Sequence, residues 1–294
     1  MKNILLKRGL AAVKKTLLII IFTIFAYNLL IFFIDHKIEK KYTKNTYDNC
    51  RKIWSSRGLY KTYHQQNSIK SFQNAFSNGF IGVEVDFYYD KKKEQFIISH
   101  NKPKKDKNGN LHYTLKDGKI LTLEELLHKQ GEGHYFWLDY KNLDRLSIEE
   151  TQLAIKRLNK ITKDEIGLKD RLYIEGSTPN TLEIYTNAGF KTLFAFQPLK
   201  ADSIFSSISS NIYKIAYYFY NITAVALPYG PIENPKYSKQ TQENLKGIPT
   251  FLFHVPDEEA LLEELVKKDD VRVMLIGRDK SINRSNTNNC SKEN

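Results

Sequence analysis

The chain has 294 residues, of which 41% are hydrophobic and 13% aromatic, with 14 glycines and 8 prolines. This length and apolar content suffice for one large domain with a substantial core, and the low glycine and proline content argues against long disordered tracts. The net charge of +12 suits a soluble surface, an anionic lipid surface or nucleic acid; because no nucleic-acid-binding motif is present, we expect no nucleic-acid partner.

An uncharged apolar run near the N-terminus, residues 16–34, reads TLLIIIFTIFAYNLLIFFI. It has about the length that a helix needs to cross a ~30 Å hydrocarbon core. A cleaved signal peptide is the alternative, but the run ends in FFIDHK without a small-residue cleavage site. We therefore predict a single-pass membrane anchor over residues 16–34.

Charges beside this run predict its orientation. Residues 1–15 contain five basic residues and no acidic one, which places the N-terminus in the cytoplasm and the following domain outside. Four lysines shortly beyond the span reduce the charge difference: Lys37, Lys40, Lys41 and Lys44. The prediction is a cell-membrane protein whose C-terminal domain is extracytoplasmic, periplasmic or extracellular.

The remaining chain divides by composition into a polar, lysine-rich linker (35–49), a folded domain (50–280) and a polar tail (281–294). The two cysteines, Cys50 and Cys290, lie near the two ends of the folded domain. Outside the cytoplasm they can form a disulfide, and the sequence leaves both the paired and the unpaired state open. It also leaves the oligomeric state open.

Nine extended apolar runs follow along the domain and predict strands: 51–56, 81–89, 94–100, 134–140, 171–176, 190–196, 222–228, 248–255 and 271–277. Helical patterns lie between several of them, including 67–79, 121–129, 147–161 and 256–268. Repeated strand–helix units predict a parallel sheet, and about eight units favour a closed (β/α)₈ TIM barrel. The ninth run is explained if the short turn DKKKE joins the second and third runs in a hairpin.

The helix predicted over residues 67–79 has signals at both of its ends. Asn67 or Ser68 can cap its first turn, and Gly79 can adopt the left-handed conformation at its end. Ile69, Phe72, Ala75 and Phe76 share one face of it, which we expect to pack on the barrel.

Two carboxylates, Glu84 and Asp86, lie two residues apart on a predicted strand, so their side chains point to the same face. Val83, Val85 and Phe87 suit the opposite, helix-covered face. In a barrel the carboxylates would face the interior near the carboxyl end of the strand, where two uncompensated anions are unfavourable. A divalent metal removes that cost; the alternative is an ion pair with an inward-facing lysine or arginine.

The segment FWLDYK repeats this arrangement on another strand, with Trp137, Asp139 and Lys141 on one face. Asp139 can supply a third oxygen ligand, and Lys141 can neutralise a phosphate. A site made of carboxylates favours Ca²⁺ or Mg²⁺ over zinc.

His100 ends a predicted strand, where an imidazole can donate a proton to a leaving group; a surface histidine is the alternative. The other histidines are weaker candidates: His36, His64, His112, His128, His134 and His254.

Taken together, these segments resemble the glycerophosphodiester phosphodiesterase family of the phospholipase C-like phosphodiesterases. The family pattern is roughly His-Arg-Gly, Glu-Asn-Thr/Ser, Glu-x-Asp, His-Asp and Glu-x-Lys. The corresponding segments, in matching order between about residues 53 and 141, are Ser56-Arg57-Gly58, Gln66-Asn67-Ser68, Glu84-Val85-Asp86, His100-Asn101 and Asp139-Tyr140-Lys141.

The resemblance implies a (β/α)₈ barrel with a divalent metal and two histidines as acid and base. It implies that Glu84, Asp86 and Asp139 are metal ligands, that Arg57 and Lys141 hold the phosphate, and that His100 is one catalytic histidine. The first histidine of the pattern is Ser56 here, and a serine hydroxyl alone cannot serve as the base. A metal-bound hydroxide or His64, in the loop after Gly58, can replace it.

Two functions follow from these residues. The first is a membrane-anchored, metal-dependent phosphodiesterase acting on glycerophosphodiesters or phospholipid headgroups. The alternative is a catalytically silent barrel that binds a phosphorylated lipid, a glycan or a protein partner. Ser56 is the residue that separates the two.

Overall fold

The computed structural model describes residues 2–40, 46–116, 118–199, 203 and 205–277, with the backbone alone for residues 2–12 and 40. The chain divides into two units, Met1–Tyr42 and Thr43–Asn294. The predicted polar tail, 281–294, and Cys290 lie outside the described residues. Cys50 is disulfide-bonded.

The first unit is one helix, α1, Lys2–Lys40. The 27 residues Val13–Glu39 contain an 18-residue window with a mean hydropathy of 2.8, and at 1.5 Å per residue the 27 residues extend about 40 Å. The helix is therefore long and apolar enough to cross a membrane, although a signal sequence near an N-terminus has the same properties. The predicted span, 16–34, lies inside it.

The second unit is built on a closed barrel. The strands of the described residues are β1 (Ile53–Ser56), β2 (Gly82–Asp90), β3 (Gln95–Ile98), β4 (Lys104–Lys105), β5 (Leu111–His112), β6 (Tyr135–Tyr140), β7 (Leu172–Gly176), β8 (Lys191–Ala195), β9 (Ala224–Pro228), β10 (Thr250–Phe253) and β11 (Val271–Gly277). Eight of these run parallel in the order β1-β2-β6-β7-β8-β9-β10-β11, and β1 also pairs with β11. The predicted TIM barrel is thus confirmed, and all nine predicted strands are present.

The second and third predicted strands form the hairpin that the sequence predicted, which accounts for the ninth strand. β3 runs antiparallel to the outer part of β2, with Phe87 opposite Ile98 and Asp90 opposite Gln95, so these two strands form a hairpin. β4 and β5 form a separate two-stranded pair.

Helices connect the strands of the barrel: α2 (Ile69–Ser77), α3 (Leu123–Gln130), α4 (Ile148–Thr162), α5 (Pro179–Asn187), α6 (Ser206–Phe219), α7 (Lys239–Asn244) and α8 (Glu259–Val266). The four helical patterns named from the sequence correspond to α2, α3, α4 and α8. Ser68 is the N-cap of α2 and accepts a hydrogen bond from the Ser71 amide, while Gly79 has a φ of +84°. On the predicted face of α2, Phe72 and Ala75 are buried.

Aromatic side chains fill the barrel interior below the site. Trp54, Trp137, Tyr173 and Phe251 are fully buried and belong to one apolar cluster. Gly82 is required beside this cluster because a Cβ there would lie 2.3 Å from the ring of Trp54. The interior is therefore a packed core up to the level at which the polar residues begin.

Candidate functional site

Polar side chains follow the interior aromatic residues at the carboxyl ends of β1, β6 and β7. Ser56, Asp139 and Glu175 each come two residues after an interior aromatic residue, namely Trp54, Trp137 and Tyr173. The period of two along a strand keeps each polar side chain on the interior face. Because the strands are parallel, these positions meet at one mouth of the barrel, together with Glu84 and Asp86 of β2.

Three carboxylates lie together at this mouth. Glu84, Asp86 and Asp139 each offer an oxygen within 4.8 Å of the oxygens of the other two. Glu84 and Asp86 are buried. A compact set of carboxylate oxygens is the donor set that hard divalent cations prefer. The three side chains predicted to converge do so, and their role as ligands remains a prediction.

Two cations lie among these carboxylates. Arg57 Nε is 2.9 Å from Asp86 Oδ2 and 3.8 Å from Glu84 Oε2. Lys141 Nζ is 2.5 Å from Asp86 Oδ1 and also contacts Asp139. Ion pairs with an inward-facing arginine and lysine, the alternative considered from the sequence, are therefore present in the same cluster as the three carboxylates.

The surroundings shift the pKa values of these groups in different directions. Burial raises the pKa of Glu84 well above its usual value, and the charge of Asp86 adds to the rise. Burial and then Asp86 raise the pKa of Asp139 to about 6. Burial alone would raise the pKa of Asp86 as well, but Lys141 and Arg57 outweigh it and lower that pKa. Asp86 is thus the carboxylate that stays ionised.

A fourth carboxylate, Glu175, was not identified from the sequence. It lies on β7 next to Asp139 in register and accepts a hydrogen bond from the indole nitrogen of Trp137. Burial, then the charge of Asp139, raises its pKa to about 8. The alternation in LYIEG, which places Glu175 on the face of Tyr173, was the signal that could have revealed it.

The charges of the described cluster do not balance when every group is ionised. Glu84, Asp86, Asp139 and Glu175 carry four negative charges, whereas Arg57 and Lys141 carry two positive charges. Two negative charges are left over, and burial together with this excess raises the pKa values of Glu84, Asp139 and Glu175. The donor set and the missing charge both fit a divalent cation.

The backbone beside the cluster adopts left-handed conformations. Arg57, Gly58 and Asn67 have φ values of +60°, +79° and +55°, and such conformations in non-glycine residues often occur at functional sites. Asn67 is fully buried: its side-chain nitrogen donates to Asp86 Oδ2 at 2.7 Å, and its oxygen accepts from the Asp86 amide at 3.1 Å. Asn67 therefore positions Asp86, whereas Ser68 caps the helix.

Ser56 lies within the cluster. Its hydroxyl donates a 2.8 Å hydrogen bond to Glu84 Oε2. It lines a cavity of about 330 Å³ together with Arg57, Glu84, Asp139, Lys141 and Glu175. The position that has a histidine in the family pattern thus faces the open space above the carboxylates.

The predicted histidines line a neighbouring cavity of about 310 Å³. His64 and His100 both border it, together with Gln66, whose side-chain oxygen accepts a 3.1 Å hydrogen bond from Arg57. Burial lowers the pKa of His100, partly opposed by the charge of Asp86. His64 is exposed and does not line the cavity that contains Ser56.

His254, considered a weaker candidate from the sequence, does line the cavity that contains Ser56. It directly follows β10 and has a φ of +51°. Burial and then the charges of Arg57 and Lys236 lower its pKa. The sequence showed only that it follows a strand; the closure of the barrel places β10 two strands from β1, so that His254 and Ser56 line the same cavity.

No family model matches the chain, and no curated protein matches it. Among solved structures, it is similar to a glycerophosphodiester phosphodiesterase from Thermotoga maritima, with 17% identity, a TM-score of 0.54 and coverage of 79% of this chain and 95% of that one. A glycerophosphodiester phosphodiesterase from Parabacteroides distasonis has 16% identity and a TM-score of 0.54, with 79% and 94% coverage.

A third similar structure is an Oleispira antarctica phosphodiesterase in complex with the product sn-glycerol-3-phosphate, with 12% identity, a TM-score of 0.52 and coverage of 81% of this chain and 95% of that one. At these identities the likeness shows the fold. The chain therefore has the barrel fold of these phosphodiesterases, as the sequence resemblance implied.

Proposed function

We propose that this chain is a divalent-metal-dependent phosphodiesterase of the glycerophosphodiester phosphodiesterase family, held at a membrane by α1. The observation that carries the proposal is the convergence of Glu84, Asp86 and Asp139 beside Arg57 at the mouth of a barrel with this fold. The substrates we propose are glycerophosphodiesters or phospholipid headgroups, because the first two similar structures are phosphodiesterases of that class.

The proposed metal is Ca²⁺ or Mg²⁺, held by Glu84, Asp86 and Asp139. When bound, such a cation supplies a Lewis acid that stabilises charge on the phosphate and lowers the pKa of a bound water. Asp86 is suited to anchor it because Asn67 fixes its position and the low pKa keeps it ionised. Ser56 holds Glu84 by its hydroxyl and orients that carboxylate.

Arg57 and Lys141 are the proposed phosphate-binding residues. The guanidinium of Arg57 presents several donors in one plane, which matches two phosphate oxygens. Although burial alone would lower the pKa of Lys141, the charges of Asp139 and Asp86 raise it, so the ammonium stays charged. With the negative charge of Asp86 and Asp139 balanced, Arg57 and Lys141 would be available to bind the substrate phosphate.

We propose that proton transfer is carried out by histidines that line the two cavities beside Arg57 and Gln66. We propose His100 as one acid–base group, because it borders the cavity that Gln66 joins to Arg57. His254 is the proposed second group, since it lines the cavity of Ser56 and burial leaves it neutral at neutral pH. His64 is the other candidate for that role, from its place in the loop after Gly58.

An assay of the full chain in detergent or vesicles tests the activity. We expect turnover of glycerophosphocholine, glycerophosphoglycerol or a lysophospholipid with Ca²⁺ or Mg²⁺, and its loss in the Glu84→Ala variant. Asp106→Ala is the matched control, because Asp106 is a half-buried carboxylate in the turn between β4 and β5, where it contacts His112 and does not line the cavity of the cluster. Equal rates for the native chain and Glu84→Ala on every substrate would refute the activity on those substrates.

The second candidate function is a silent barrel that binds a phosphorylated lipid, a glycan or a protein partner. The ion pairs of Asp86 with Arg57 and Lys141 support it, because they stabilise part of the carboxylate cluster without a metal. Binding of glycerol phosphate without turnover of any diester, measured calorimetrically, is the result that would favour it.

Protease treatment of intact cells and spheroplasts tests the proposed location. An extracytoplasmic barrel is cut from outside; cleavage only after the inner membrane is lysed would reverse the proposed orientation.

A further inference from the structure

Helix α6 (Ser206–Phe219) turns a mostly polar side to the protein and an apolar side outward, the opposite of a usual surface helix. A surface helix of a barrel normally turns an apolar stripe to the core and a polar side to water. The buried residues of α6 are Ser206, Ser210, Lys214 and Tyr217. Tyr213, whose ring stacks on Phe196 at 3.8 Å between centroids, marks the side that meets the barrel.

The outward side of α6 is apolar. Ile208 is 45% exposed, Ile212 55% and Phe219 55%, and Phe205, which precedes the helix, is 57% exposed. Their spacing of three, four and seven residues places them in one stripe. The helix contains one charged residue, Lys214, and it is buried, so no charge lies along this stripe. Such a surface is unfavourable in water and indicates an apolar surrounding.

The stripe begins at the side of the barrel that carries the site. β8 ends at Ala195, which lines a cavity with Asp139, Lys141 and Glu175. The connection to α6 therefore leaves the barrel at the mouth, and Leu199 within it is 44% exposed. The apolar surface thus adjoins the entrance to the carboxylate cluster.

The chain itself indicates a bilayer as the covering surface. The candidate membrane span ends at Glu39 and β1 begins at Ile53, and the 13 residues between them extend at most about 50 Å. The net charge of +12 favours an anionic lipid surface over a second, equally charged copy of the chain. Phe219, which is 55% exposed, ends the helix, and aromatic residues are enriched where proteins meet the membrane interface.

We infer that the outward stripe of α6 (Phe205, Ile208, Ile212 and Phe219) inserts into the acyl boundary of the bilayer and holds the barrel mouth at its surface. An interfacial helix buries its apolar face about 5–10 Å into the headgroup and acyl region. The inference depends on the membrane anchor and is independent of catalysis, so it can hold for a silent barrel as well.

Tryptophan fluorescence of the full chain in vesicles tests it. The native tryptophans, Trp54 and Trp137, are fully buried in the barrel, so an added tryptophan reports separately. The probe is Ile212→Trp, and the matched control is Ile166→Trp, because Ile166 is 99% exposed before β7, at the opposite end of the barrel. The vesicles contain phosphatidylethanolamine and phosphatidylglycerol, with either brominated or unmodified acyl chains.

We expect brominated chains to quench most of the emission added by Ile212→Trp and to leave that of Ile166→Trp unchanged. Equal, weak quenching of both variants would overturn the inference, as would a full chain that does not insert into the vesicles. A blue-shifted, unquenched Ile212→Trp in a chain that sediments as a dimer would assign the stripe to a second copy instead. Unchanged melting temperatures establish that both variants fold.

Discussion

The hydroxyl of Ser56 donates a hydrogen bond of 2.8 Å to Oε2 of Glu84. The residue that stands where the family pattern has a histidine is thus bonded directly to a proposed metal ligand. A histidine at the same place would have its imidazole in the cavity, whereas the short serine side chain leaves that space open. His254, at the end of β10 two strands from β1, lines the same cavity.

Histidine substitutions should distinguish a rewired enzyme from a silent barrel. If His254 has taken over proton transfer, His254→Gln lowers kcat by about 10²–10⁴, while Ser56→His changes it little. His112→Gln is the control, because His112 is exposed and contacts Asp106 away from the site. An inert native chain that becomes active as Ser56→His would instead identify a barrel that has lost its enzymatic activity.

A divalent cation should stabilise the fold through the carboxylate cluster. The melting temperature is expected to rise with Ca²⁺, Mg²⁺ or Mn²⁺ and to keep rising with concentration. At 100 times the Kd, the free energy of unfolding should be higher by about 2.7 kcal/mol. Asp86→Asn and Glu84→Gln should remove most of this rise, and Asp106→Asn should retain it. Scanning calorimetry with no shift up to millimolar metal would show that no such site exists.

The metal-free protein should lose stability as the pH rises through the pKa values of Asp139 and Glu175. Folding raises these to about 6 and about 8, above their unfolded values of about 4, so the folded state binds more protons between those limits. The stabilisation of the folded state by protonated Asp139 and Glu175 is fully present below about pH 4 and is lost by about pH 8.

Chemical denaturation in a chelator at several pH values measures this loss. Glu175→Gln should flatten the dependence of the unfolding free energy on pH above pH 6, because the amide does not ionise. Saturating metal should flatten the profile in the native chain. A Glu175→Gln variant with the same pH profile as the native chain would contradict the assignment.

Gly58 should tolerate no side chain because there is no space for one. Gly118 has the same φ but open space around it, so comparing the two positions separates the steric effect from the effect of the backbone conformation. Gly58 and Gly118 both have a φ of +79°, but a Cβ on Gly58 would lie 2.5 Å from the Ser71 carbonyl carbon, whereas nothing lies within 4 Å of one on Gly118. Gly118→Ala should lower the free energy of unfolding by about 1–2 kcal/mol, because alanine is strained in the left-handed backbone conformation.

Gly58→Ala should lower the free energy of unfolding by about 1–3 kcal/mol more than Gly118→Ala does, because the added methyl group overpacks the site. It should also displace Arg57 from Asp86. Equal denaturation midpoints for the two variants would refute the steric argument.

The sequence by itself determined the barrel and most of the acidic cluster. Its nine apolar runs are the nine strands predicted, because interior strands of a parallel barrel are continuous stretches of apolar residues that local patterns reveal. The period of two placed Glu84 with Asp86, and Trp137 with Asp139 and Lys141, on interior faces. These are properties of neighbours along a strand, and they need no knowledge of the fold.

Only the tertiary structure decided which residues meet across the barrel. His254 joins the cavity of Ser56, although 198 positions separate them along the chain, and Glu175 meets Asp139 through the register of two strands. Asn67 holds Asp86 instead of capping a helix, and α6 turns its apolar side outward. Such relationships depend on ring closure and strand register, which bring distant residues together and which no local periodicity encodes.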